Sequence, residues 1–103
     1  MSTQTLDAAM LIFRALVELS RARIVAALIE RKGAATVGDL QETVEMPQST
    51  VSRHLRVLLD AGIVSVTRNG EQRVYQLDVH REALAAVETL VLAVRSCQRP
   101  DEQ

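Results

Sequence analysis

Between Gln48 and Arg56 the chain places Gln48, Ser49, Thr50, Ser52, Arg53 and Arg56, polar side chains able to donate hydrogen bonds. At helical spacing they fall away from Val51, Leu55, Leu58 and Leu59, so one face of a helix packs while the other offers donors. Such a face suits duplex DNA. Glutamine can bond adenine bidentately, arginine can do so to guanine, and Ser or Thr at a helix start can hold phosphate. Gln48 and Arg53 are therefore assigned to base edges, Ser49 and Thr50 to phosphate, with Ser52 and Arg56 completing the face. Arg68 and Arg73 can reach phosphate or the minor groove. His54 has two readings, a phosphate contact or a boundary residue that seats the helix on its neighbour.

Catalysis finds no comparable set. Ser52 and His54 lie two residues apart on one helix and point away from each other. No glycine-rich phosphate loop, metal triad or nucleophile–base–orienter set can be assembled, so no enzymatic activity is expected. Asp39, Glu42 and Glu45 do not converge by themselves and read as a solvated face. Asp78 and His80 read as an N-cap with an adjacent first-turn side chain. A lone cysteine, Cys97, excludes an intrachain disulfide and an all-cysteine zinc site. Its apolar stripe suggests a small buried hydrophobe, against the alternative of oxidation or a disulfide between subunits.

The elements that must position these residues follow from periodicity. Leu6, Met10, Phe13 and Val17 predict a first helix over 5–19. Ser20 then fits an N-cap before Arg21 to Arg31, with Gly33 as the stop. Thr36 reads as the next N-cap, Met46-Pro47 as a break, and helix resumes from Ser49 to Leu59, giving a helix-turn-helix over 36–59. The period then changes to two. A wing over 63–77 is predicted, with Asn69-Gly70 as its turn, Val64 and Val66 facing Tyr75 and Arg73, and Tyr75 packing the wing. Leu84, Val87, Val91 and Val94 mark a last helix over 79–97, and 98–103 is expected to fray.

These elements make one domain over 1–103, mainly α with a two-stranded β wing: a winged helix-turn-helix. Its first and last helices carry more apolar surface than a small monomer usually exposes, which predicts a homodimer through those two helices. With 48% hydrophobic but only 2% aromatic residues, the core must be Leu, Val, Ile and Ala. That favours packed helices and leaves no stacking platform for single-stranded bases. The formal charge is −1, yet the stretch from Pro47 to Arg73 sets four arginines against Asp60 and Glu71. That segregated basic surface is what phosphate contact needs. No secretory pattern opens the chain and no apolar run reaches membrane length, so a cytoplasmic protein with no membrane partner is expected.

Three segments, Thr36-Val37-Gly38-Asp39-Leu40, Gln48-Ser49-Thr50-Val51-Ser52-Arg53-His54-Leu55-Arg56-Val57-Leu58 and Ala61-Gly62-Ile63-Val64, closely resemble the ArsR/SmtB repressors. Arg21-Ala22-Arg23-Ile24 and the wing pattern Arg68-Asn69-Gly70 leading to Val74-Tyr75-Gln76-Leu77 match as well. The resemblance implies a bacterial or archaeal homodimeric repressor on an operator in double-stranded DNA, whose affinity many members lower with a metal or another inducer. One family metal site uses cysteines before Asp-Leu. Here Val37-Gly38 stands there, without a thiol. The other joins an Asp-x-His to two further ligands of the partner's last helix. Asp78-Val79-His80 is kept, but Val91 and Val94 occupy the later positions.

Two ligands cannot hold a tetrahedral metal selectively, so no cofactor is predicted and the inducer stays unassigned. The alternative sensor would combine Asp78 and His80 with the Cys97 of a second copy, Glu88 joining, around nickel, zinc or cobalt. A different class of function, a winged-helix module that recruits proteins, has no need of exposed Gln48, Ser49, Thr50, Arg53 and Arg68 on one side.

Overall fold

Apolar residues at every third or fourth position build the helices, and the fold follows from burying those stripes together. A computed structural model describes residues 1–98 in the order α1 (Thr3–Leu16), α2 (Leu19–Glu30), β1 (Ala34–Thr36), α3 (Val37–Val44), α4 (Gln48–Asp60), β2 (Val64–Asn69), β3 (Gln72–Leu77) and α5 (Arg81–Cys97). Ile24 and Leu28 of α2, Leu40 of α3, and Val51, Leu55 and Leu58 of α4 are fully buried and form the centre. Ile63, Val64 and Tyr75 close it from the wing side, and Ile12, Ala15 and Ala83 from α1 and α5. Tyr75 is thus a core aromatic. Ala9 of α1 and Ala83 and Ala86 of α5 are buried too, small side chains where these two helices pack.

The helix ends show why the boundaries fall where they do. The first helix stops at Leu16, short of the expected 19, and Ser20 lies inside α2 instead of capping it. Glu18 is the cap. Its backbone is extended and its Oε2 accepts from the Arg21 N–H at 3.0 Å, satisfying one of the helix's free donors. Helix α2 ends in a Schellman arrangement. The Gly33 N–H reaches the Leu28 carbonyl at 2.7 Å, and Lys32 takes the left-handed position at φ 61°. The end of α4 repeats it, with Ile63 N–H on the Leu58 carbonyl at 2.9 Å and Gly62 left-handed at φ 74°.

The expected wing has a third strand. β1 pairs antiparallel with β3, Ala35 opposite Tyr75, so the sheet order is β1-β3-β2. Three residues are too few for a period-two signal, and the pairing joins strands nearly forty residues apart. The hairpin register also differs from the sequence reading. Asn69 pairs with Gln72, which makes Gly70 and Glu71 the loop and puts Gly70 first at φ 66°, as a type II′ turn requires. Moving the turn by one residue moves every pair by two: Val64 meets Leu77, Val66 meets Tyr75, and Arg68 meets Arg73. The last helix begins at Arg81, not 79, with His80 as its N-cap. Gln98 is a bend beyond α5; the remainder of the tail expected to fray, 99–103, lies outside the described residues.

Candidate nucleic-acid interface

The helix carrying the proposed readers is aimed by the one before it. Thr36 and Asp39 form a reciprocal capping box at the start of α3, the Thr36 N–H on Asp39 Oδ2 at 3.0 Å and the Asp39 N–H on Thr36 Oγ1 at 3.1 Å. The Thr36 backbone N–H, then its hydroxyl, then the Arg31 guanidinium hold the Asp39 carboxyl below its ordinary value. Arg31 lies 3.6 Å from Asp39 and 4.0 Å from Glu42, so α3's acidic groups are drawn toward α2. Arg23 of α2 donates to the Val44 carbonyl at 3.1 Å and ties down the end of α3. Glu45 then adopts φ 55°, ψ 47°, and helix resumes at Gln48 after three residues. The break comes one residue earlier than Met46-Pro47.

With Val51, Leu55 and Leu58 seated in the core, α4 turns its other face outward. Gln48, Ser49, Ser52, Arg53 and Arg56 are exposed and Thr50 is half-buried. No side chain caps α4, because Pro47 occupies that position and offers only its carbonyl, which takes the N–H groups of Thr50 and Val51. The first N–H groups of the helix therefore stay free beside Ser49, at its electropositive end. Arg56 is partly engaged by Asp60 at 3.5 Å across one turn. His54 stands apart from the others: its side chain is only 12% exposed and Nδ1 lies 3.9 Å from Glu18 Oε2. That is the seating position, with the ring turned to α2.

On the wing, Arg68 and Arg73 are exposed and directly opposite one another in the ladder. Cross-strand partners share a face, and like charges there are destabilising without an anion between them. Sequence reasoning missed this pairing because it set the turn one residue early. It also missed Glu18 and Arg23, which position α4 and α3 without touching the polar face. Their only signal was a carboxylate three residues ahead of the Arg-x-Arg at the start of α2.

The remaining candidates do not meet. Ser52 is exposed and His54 is turned inward. His80 caps α5 itself, its Nδ1 accepting from the Glu82 N–H at 3.3 Å, so Asp78 is not the cap. Cys97 is exposed at the far end of α5, about 25 Å along the helix from His80, and not buried on its stripe. Among the described residues no group of three or more His, Cys, Asp or Glu side chains is placed to hold a metal ion. Val91 and Val94 have no donor to add, so the residues present do not fit either family metal site.

Comparisons with known proteins agree with the helix-turn-helix fold. Residues 12–67 match a family described as a helix-turn-helix domain. The chain is 38% identical over 80 residues to the HTH-type transcriptional repressor SmtB of Mycobacterium tuberculosis, covering 78% of this chain and 58% of that protein. It is 34% identical over 84 residues to the arsenic resistance transcriptional regulator ArsR1 of Pseudomonas putida, covering 82% and 63%. The chain thus spans less than two thirds of the length of these relatives. Among solved structures, the transcriptional repressor BigR from Xylella fastidiosa superposes with a TM-score of 0.68 at 27% identity, covering 86% of this chain and 89% of that one.

Proposed function

The chain belongs to the ArsR/SmtB family of winged helix-turn-helix regulators, and from that premise we propose that it is a transcriptional repressor binding a palindromic operator as a homodimer. The observation carrying this reading is the exposed polar face of α4, uncapped at its start and flanked by the opposed arginines of the wing. Gln48 and Arg53 read base edges in the major groove, and Ser49 and Thr50 with the free N–H groups hold phosphate. Ser52 and Arg56 line the same groove. Arg68 and Arg73 take an adjacent phosphate or the minor groove, which relieves their mutual repulsion. His54 belongs to the seat of the helix and not to the DNA surface.

Two copies join through α1 and α5, and their two α4 helices enter successive major grooves about one helical turn apart. The chain works in the cytoplasm by binding, without catalysis and without a resident metal; none of its described helices is long and apolar enough to cross a membrane. The test is titration of duplexes from its own upstream region, followed by fluorescence anisotropy at several salt concentrations. Specific binding should weaken steeply with salt, and Arg53→Ala should cost about 1–3 kcal/mol and relax base preference at one position. Arg68→Ala should weaken binding to all duplexes alike and flatten the salt slope by about one. Binding that ignores both salt and Arg53→Ala would sink the reading.

A further inference from the structure

The operator-reading helix contains one buried polar atom without a partner. Nδ1 of His54 is shielded from solvent and makes no hydrogen bond, while Glu18 Oε2 lies 3.9 Å away, just too far for one. Glu18 is not free to drift: the same oxygen takes the Arg21 N–H at 3.0 Å as the cap of α2. We propose that His54 and Glu18 form a proton-dependent pin that sets α4 on the start of α2, so that operator affinity rises in acid.

The surroundings leave Glu18 as the partner. The Arg21 guanidinium is turned to the end of α1, its Nε on the Ala15 carbonyl at 2.7 Å and an Nη on the Arg14 carbonyl at 3.4 Å. The other α2 cation near α3, Arg23, donates to the Val44 carbonyl. From α3, Asp39 and Glu42 face Arg31, and Glu45 is exposed at the turn. On α4 itself Arg56 holds Asp60 while Arg53 is exposed, and the charged residue of β2, Arg68, sits near the wing tip. Among the described residues Glu18 is the one carboxylate within 4.0 Å of the ring.

A protonated imidazole carries hydrogen on both ring nitrogens, so Nδ1 donates whichever tautomer the neutral ring holds and gains a charge to pair, and closing to about 2.8 Å needs only a small ring movement. The orphaned atom is then satisfied. Because His54 follows Arg53 directly and precedes Arg56 by two residues, tightening here sets how α4 is rotated about its axis and where both guanidinium groups point. Histidine is the side chain whose charge ordinarily changes nearest neutral pH, so the comparison is made between mildly acidic and mildly alkaline solution. The pair exists only in the folded chain, so any stabilisation from a charged ring beside Glu18 is present in acid and is lost as pH rises.

The inference rests on the operator reading, and two measurements keep the two separable. Anisotropy with the operator duplex at pH 8 and 5.5, at fixed ionic strength, compares the wild type with Glu18→Gln and His54→Gln. Gln at position 18 keeps the cap acceptor and loses the charge. The wild type should gain about fivefold more affinity in acid than either variant, and Glu18→Gln should match it at pH 8. Thermal unfolding without DNA should show the wild type gaining about 3 °C over Glu18→Gln as pH falls through the same range. His80 is common to all three proteins, so its contribution cancels. Acid tightening that persists in Glu18→Gln would put the ring on a phosphate and overturn the pin, as would an unfolding gap that does not move with pH. A wild type that binds no duplex while the gap moves would overturn the operator reading and leave the pin standing.

Discussion

A single threonine sets the entry to the helix-turn-helix. Thr36 ends β1 and caps α3 at once, so its φ and ψ must serve a strand and a helix start together. Thr36→Ala should cost about 1 kcal/mol in denaturant unfolding, the usual loss for an N-cap. Its partner adds a pH signature. The Asp39 carboxyl is held low in the folded chain by Thr36 and then Arg31, so its stabilisation is full above the ordinary carboxylate range. It is lost as pH falls through the lowered folded value. Melting from pH 5 down to 2.5 should therefore show a steeper fall for the wild type than for Asp39→Asn, which carries no proton to gain. Parallel curves would refute the capping role assigned to the charge.

Two helices end with the same carbonyl pattern but with different residues in the left-handed position, and the contrast makes opposed predictions. At the end of α4 that residue is Gly62, where an added Cβ would meet nothing within 4 Å, so the cost of Gly62→Ala is backbone strain alone. It should destabilise by about 1 kcal/mol. At the end of α2 the residue is Lys32, which bears that strain already. Lys32→Gly should stabilise by about 0.5–1 kcal/mol, less than the full strain because glycine also loosens the unfolded chain. Chemical denaturation of both variants checks the signs. Each end matters to the site: one leads α2 into β1 and so to the start of α3, the other leads α4 into the wing.

The molecule as a whole is longer than its size warrants. Its extents are 50 × 29 × 21 Å with a radius of gyration of 15.7 Å, against about 13 Å for a compact chain of this length. The excess is α5. Every residue from Val91 to Gln98 is exposed, and Leu84, Val91, Leu92 and Val94 join Leu6, Met10 and Phe13 of α1 as large apolar groups open to solvent. A second copy laid along α1 and α5 would cover them and set two α4 helices a fixed distance apart. Val91→Glu should leave a folded chain, since the side chain is half exposed, yet convert the sedimenting species from dimer to monomer. Operator affinity should then fall about a hundredfold through lost bivalency. A wild type that sediments as a single chain would remove the basis of that expectation.

Local chemistry carried the helix order, Thr36 as the cap of α3 and the polar face of α4 straight from the residues. Each depends on side chains no more than a turn or two apart, which periodicity and capping preference register directly. Folding decided the rest. Whether Ser20 or Glu18 caps α2 depended on the packing of neighbouring elements, since both side chains can accept a donor. Asn69-Gly70 and Gly70-Glu71 both satisfy a tight turn, and only the sheet chose the register that sets Arg68 against Arg73. β1 exists because β3 offers it an edge, a partner far along the chain that a three-residue segment cannot announce. Helical spacing gives His54 an angle but not a neighbour, so it does not choose between DNA and core; the meeting of α2 and α4 brings Glu18 to within 3.9 Å of the ring.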